Sequence, residues 1–225
     1  MANISTTTLR MTRQFRASAD SVFDAWLNPA LMRRWLFTRE GTNKVATSEP
    51  HVGGHWHITD HRDGTDYTAI GTYVEIDRPR RLVFTFQMPQ FSELTDTITV
   101  ELRQLDVGCE MVFTQHIHVP HEDNWSEADI EQALEAYRSS SEHGWALMLG
   151  GLDLLLSLQS EVERRVAHTP KLDDDTVDAI YAAYVDEQGE EALNGLRYLG
   201  YVQPEQVAAT GPGRALLRYF ASPDS

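Results

Sequence analysis

Residues 126–166, SEADIEQALEAYRSSSEHGWALMLGGLDLLLSLQSEVERRV, contain no proline and repeat apolar residues every three to four positions. That period is helical, so the segment reads as one long helix, bent or weakened at Gly150-Gly151. The chain before it follows another rule. From residue 42 to 118 it reads as strand after strand, punctuated by VGG, DHRDGTD, IDRPRR and DVGC, with the spacing of an antiparallel meander.

The beginning of the chain supplies three shorter pieces. LRMTRQFRA reads as a first strand, with Leu9, Met11 and Phe15 in imperfect alternation. In SADSVFDAWLN, Val22, Phe23 and Trp26 take helical spacing, and Ser18 or Asp20 can cap that helix by accepting free N–H groups of its first turn. Asn28-Pro29 stops it, and PALMRRWLF begins a second short helix with proline near its first position.

The segment HVGGHWHITDH holds four histidines, and His55, His57 and His61 share one face of a strand. Such a row raises the question of a metal. Strand phase argues against one. Trp56 and Ile58 form the apolar set that must be buried, which turns His55, His57, Thr59 and His61 outward. The same alternation sets Ile98, Val100 and Leu102 against Thr99, Glu101 and Arg103. It also sets Met111, Phe113 and Ile117 against Thr114, His116 and His118. A metal needs further converging ligands, and a single cysteine supplies no thiolate cluster. No metal site is assigned.

Charge and cysteine usage narrow the function classes. With 34 acidic and 19 basic residues the net charge is −15, which repels phosphate backbones and anionic lipid, so neither nucleic acid nor a membrane is an expected partner. No run of about 18 apolar residues suggests a membrane span, and the opening MANISTTTLRMTRQF lacks the pattern of a secretory signal. Cys109, the one cysteine, excludes an internal disulfide and suits a cytoplasmic location. No P-loop, dinucleotide glycine signature or nucleophile elbow is present. No catalytic residue and no cofactor is assigned, and the reading leans away from an enzyme.

Four phrases in order carry a family resemblance: SADSVFDAWLNPALMRRWL with Trp26 and Trp35, VGGHWHI, DGTDYTAIGTYVEIDRPRRLVFTF, and EHGWALMLGGLDLLL. Residues 8–165 resemble the activator of heat-shock-protein-90 ATPase homologue-like branch of the START-like, or SRPBCC, superfamily. The resemblance implies an α+β helix-grip fold, a curved antiparallel β-sheet wrapped around a long C-terminal helix, over residues 1–168. It also implies a cavity between sheet and helix, and it places the strand of His55 and His57 well away from the strand of His116 and His118.

By phase, Trp56, Ile58, Leu82, Phe84, Phe86, Met88, Ile98, Val100, Met111 and Phe113 are candidates to line that cavity, with Trp35 and Trp145 from the helices. Most of these residue types equally suit a filled core. The two tryptophans each offer an N–H on a large apolar body. Gln115, polar in an apolar phase, is a candidate hydrogen-bonding group toward a ligand or toward the protein. Trp35, Trp56, Phe84, Phe86, Met111, Phe113, Gln115 and Trp145 form the expected ligand-binding set. The expected function is binding of a small apolar or amphipathic molecule. The alternatives are a protein-interaction or co-chaperone-like module tied to stress response, then a cyclase- or hydrolase-type enzyme, then a transcription regulator acting through the tail.

Residues 169–225 fall outside the resemblance and read as a helical C-terminal extension. Asp173, Asp174 and Asp175 precede a helical TVDAIYAAYVDEQ and complement its N-terminal dipole. Two further helical pieces, EEALNGLRYLGYV and GPGRALLRYFASP, follow, faintly like the close of a winged-helix regulator. Four Lys/Arg against ten Asp/Glu in residues 171–225 argue against DNA binding. Apolar residues such as Ile180, Tyr184, Leu196, Leu217 and Phe220 are too many for three short helices to bury alone. Docking on the main domain or on a second chain as a homodimer is therefore expected.

Overall fold

The period-two segments form strands because each buries alternate side chains on one shared face. The computed structural model describes residues 3–37, 43–62 and 64–166. In chain order the elements are β1 (Asn3–Phe15), α1 (Ala19–Leu27), α2 (Pro29–Trp35), β2 (Asn43–Ser48), β3 (His55–Arg62), β4 (Thr65–Asp77), β5 (Arg81–Phe86), β6 (Asp96–Gln104), β7 (Cys109–His121) and α3 (Glu127–Val166). The strands make one seven-stranded sheet in the order β1-β7-β6-β5-β4-β3-β2, with every neighbouring pair antiparallel. The expected α+β helix-grip architecture, a curved sheet holding a long helix, is what the chain adopts. The expected extension, residues 169–225, lies outside the described residues.

The first strand starts earlier than its apolar pattern indicates. It runs from Asn3 because β7 offers a partner along its whole length, from Asn3 opposite His121 to Phe15 opposite Cys109. Thr6, Thr7 and Thr8 suit that edge, since β-branched side chains fit a pleated, half-exposed surface. Ser18 caps α1, its side chain accepting from Ser21 N at 3.2 Å. Asn28 both ends α1 and caps α2, accepting from Ala30 N at 2.9 Å with Pro29 at the first turn.

The core lies between the inward face of the sheet and the three helices. Trp56, Ile58, Phe84, Ile98, Val100, Met111 and Phe113 are buried there from the sheet, as their phases require. The long helix runs on through Gly150 and Gly151. Every residue from Met148 to Leu156 is buried, including Asp153. That segment is therefore enclosed on all sides, whereas the first turns of α3 are largely exposed.

Candidate functional site

α1 and α2 turn two indoles toward the inner face of the sheet because Trp26 and Trp35 occupy the buried stripe of each short helix. Their ring centroids meet 4.7 Å apart, nearly edge to face at 85°. Trp26 is the hub of an aromatic cluster: Phe84 lies 5.6 Å away, Trp145 5.9 Å and Phe113 6.2 Å. Phe113 and Trp145 are closer still, at 4.5 Å. Beside them Phe37, Phe86 and Trp56 stack almost parallel, with interplanar angles of 8° and 7°. Trp145 meets both Phe37 and Phe86 edge-on. Offset and edge-to-face pairs of this kind contribute about 0.5–1.5 kcal/mol each beyond the area they bury.

Seven of the eight expected ligand-binding residues come together in this cluster and its polar margin. They are Trp35, Trp56, Phe84, Phe86, Phe113, Gln115 and Trp145. Met111 is buried in the same core one inward position further along β7. Two residues enter that sequence reasoning did not place there. Trp26 was visible as an apolar helix position, but nothing in its spacing distinguished a hub from ordinary core. Phe37 follows α2 in the left-handed region, at φ 51°, which turns its ring onto Phe86 and Trp145. A non-glycine residue at positive φ is uncommon, and no local pattern announces it.

The polar groups of the cluster are mostly engaged by the protein. Trp35 Nε1 donates to the Ala25 carbonyl at 3.1 Å. Trp145 Nε1 donates to Gln115 Oε1 at 2.8 Å, and Gln115 Nε2 donates to Asp96 Oδ2 at 2.8 Å. The other Asp96 oxygen accepts the His118 backbone N–H at 2.9 Å. Trp26 Nε1 is different. It is buried and has no hydrogen-bond partner among the described residues, although an unmet buried donor costs about 1–3 kcal/mol.

Burial tunes two further groups. Tyr73 donates its hydroxyl toward the Trp26 carbonyl at 3.5 Å and lies 2.9 Å from Ser48 Oγ. Burial pushes its phenol up to about 12, the bond to Ser48 working in the opposite direction. Cys109 is fully buried, and burial, aided by the charge of Asp153, pushes its thiol up to about 11. A thiol held protonated in this way is a poor nucleophile at neutral pH.

The histidines of β3 lie where their phase puts them, His55 exposed and His57 half-buried on the outer face. They are separated from His116 and His118 of β7 by β4, β5 and β6. Among the described residues no group of three histidine, cysteine, aspartate or glutamate side chains is placed to hold a metal ion.

On that outer face the ladder between β4 and β5 is interrupted. Ile70 and Gln87 exchange both backbone hydrogen bonds at 2.9 Å. At the next hydrogen-bonding position Thr72 N donates instead to Thr85 Oγ1 at 2.8 Å, and the Thr85 carbonyl accepts from Trp56 Nε1 at 3.2 Å. Gly71 makes this possible, because a Cβ there would sit 1.8 Å from the Thr85 oxygen and 2.5 Å from the indole nitrogen. A half-open hollow of about 570 Å³ lies over the interruption. It is lined by the outward side chains of His55, His57, Ile70, Thr72, Thr85 and Gln87, with Trp56 and Gly71 at its base and Thr95 at its rim.

Comparison with known proteins agrees with this architecture. The sequence model described as activator of Hsp90 ATPase homolog 1-like protein matches residues 16–157. Among solved structures, a protein of unknown function from Staphylococcus aureus is 25% identical with a TM-score of 0.60, the match covering 65% of this chain and 91% of that one. A protein from Chromobacterium violaceum is 21% identical with a TM-score of 0.52, over 66% of this chain and 96% of the other. One from Arthrobacter aurescens, also 21% identical, gives 0.51 over 67% and 86%. These last two likenesses speak for the fold alone. No curated protein matches the chain in sequence. With its four phrases in order, its helix-grip architecture and more than half its length matched, the chain belongs to the activator of Hsp90 ATPase homolog 1-like family.

Proposed function

We propose that the protein binds a small apolar or amphipathic molecule between the sheet and α3, against the cluster centred on Trp26. Membership in the family supports a ligand-binding or co-chaperone-like module in general. The observation that favours a ligand is the buried Trp26 N–H without an acceptor, set among apolar rings. A ligand carbonyl, ether or hydroxyl oxygen would meet that donor while the rings of Trp145, Phe84 and Phe113 cover its apolar body. Trp35, Trp56, Phe86, Met111 and Gln115 act around this contact, Gln115 chiefly by holding Trp145 in place.

Native mass spectrometry of the protein purified from its own host tests the reading. The expected result is a retained small molecule, reduced in Trp26→Phe, which keeps the ring and removes the N–H. Bare protein in both forms, with no uptake of an amphipathic dye such as anilinonaphthalene sulfonate, would overturn it and favour the co-chaperone-like alternative.

The same proposal takes residues 1–168 as the binding domain and residues 169–225 as an assembly element that makes a homodimer in the cytoplasm. Its support is the apolar content of residues 176–220 and the single buried thiol, which suits a reducing compartment. Light scattering on the full chain and on a chain ending at Val166 is expected to give a dimer and a monomer. Two monomers would remove the dimer and leave the ligand proposal untouched. No helix among the described residues is long and apolar enough to cross a membrane.

A further inference from the structure

The hollow over the interrupted β4–β5 ladder is on the opposite face of the sheet from the aromatic cluster, and it does not depend on that cluster's occupancy. We infer that it is a second binding site, for a small uncharged aromatic or heteroaromatic molecule carrying a hydrogen-bonding group. Its volume, about 570 Å³, falls in the range of roughly 300–1,000 Å³ usual for small-molecule sites.

The charge of the lining selects the ligand class. None of the lining residues is Asp, Glu, Lys or Arg, so there is no cationic clamp for a phosphate or carboxylate and no anion to neutralise an ammonium group. Glu49, whose carboxylate accepts the His55 backbone N–H at 3.3 Å, is outside the lining. The net charge of −15 further disfavours an anion. The apolar members of the lining, Ile70 and Trp56, suit a flat ring.

The remaining hydrogen-bonding capacity is specific. His55 Nδ1 is 3.1 Å from Thr72 Oγ1, and His57 Nε2 is 2.9 Å from Thr59 Oγ1. The opposite ring nitrogens, His55 Nε2 and His57 Nδ1, have no partner among the described residues. Gln87 donates one amide N–H to the Ser92 carbonyl at 3.1 Å, which leaves its second N–H to donate and Oε1 to accept. Two imidazoles held by threonine hydroxyls therefore line the hollow, each with a second ring nitrogen that no described residue engages. An indole, phenol or purine-like ring can stack there and exchange one or two hydrogen bonds.

Trp56 links this hollow to the interior. Its N–H is bonded to the backbone at the base of the hollow, while its ring stacks on Phe86 and meets Phe84 edge-on at 5.7 Å. Occupancy of the outer site is thus reported by the Trp56 indole N–H, a resonance that an independent inner ligand would leave without the accompanying changes at outer-face amides.

The test is a titration of the isotopically labelled full chain with indole, followed by amide and indole N–H shifts. Saturable shifts at Ile70, Thr72, Gln87 and the Trp56 indole N–H are expected. Ile70→Glu, which puts a charge at the base of the hollow, is expected to weaken indole binding about tenfold or more, equivalent to at least about 1.4 kcal/mol. His57→Ala, a change on the outer surface, tests the same wall should Ile70→Glu unfold the protein. In Trp26→Phe the outer-face shifts are expected to persist, which separates this site from the inner one. Shifts confined to residues around Trp145 and Phe113, linear unsaturable shifts, or indole affinity unchanged in both outer-face variants would each overturn the proposal.

Discussion

Trp145 and Gln115 are 30 residues apart in the chain and joined by a 2.8 Å hydrogen bond that fastens α3 to the middle of β7. The bond belongs to a chain of contacts, because the same amide donates to Asp96 on β6. One glutamine thus holds the indole of the helix and the carboxylate of a neighbouring strand, with the glutamine and the indole buried and the carboxylate partly so.

Replacing Gln115 with leucine keeps the volume and removes both bonds. Trp145 Nε1 and Asp96 Oδ2 are then left without that partner, and the fold is expected to lose about 1–3 kcal/mol. Urea unfolding of Gln115→Leu checks this, and an unchanged midpoint would show that the bond contributes nothing net.

Trp145→Ala removes an indole that is 3% exposed and touches Trp26, Phe37, Phe86 and Phe113. The expected cost is about 3–5 kcal/mol. A melting temperature equal to that of the parent protein would place the indole outside the packed core.

Alkaline pH is expected to unfold the protein through two buried acids. Tyr73 is raised from 10.0 to about 12 and Cys109 from 9.0 to about 11, so the fold holds both in their neutral forms. Their stabilising contribution is complete below the unfolded values. It falls as pH climbs from 9 to 11 for the thiol and from 10 to 12 for the phenol, at about 1.4 kcal/mol per pH unit for each group. Denaturant midpoints measured across this interval should decline, and Tyr73→Phe should decline less above pH 10. Parallel profiles for parent and variant would exclude Tyr73 as a source.

Gly71→Ala drives a Cβ into the Thr85 carbonyl and the Trp56 nitrogen. The strands must separate further or the indole must leave, at a cost of about 1–3 kcal/mol. The clearest readout is the Trp56 indole N–H, which should lose its protection from solvent exchange. Retained protection would mean that the backbone yields elsewhere.

The fold was legible because its signals are periodic. His55 and His57 face outward and Trp56 and Ile58 inward for the reason their alternation gives, and the helical spacing of Trp145, Leu149 and Leu152 places all three in the core. Pairing is where legibility ends. Gln115 was visible as a polar residue out of place, yet its partner Asp96 became recognisable only once β6 lay beside β7. Asp96 carried the same signal, since it shares the inward phase of Ile98 and Val100. The substitution of Thr72, Thr85 and Trp56 for one rung of the ladder depends on three strands meeting, which no local pattern in AIGTY or HWHI encodes. Phe37 depends on a single backbone angle.

Because β1 pairs with β7, its one neighbour among the described residues, the sheet cannot be finished in the order in which the chain is made. Residues 3–15 leave the ribosome well before their partner, residues 109–121, which is synthesised about 5–20 s later at ordinary elongation rates. During that interval the threonine-rich first strand has no edge to join, and β2 to β6 can already pair hairpin by hairpin. The sheet is completed when its earliest-made strand meets its latest-made one.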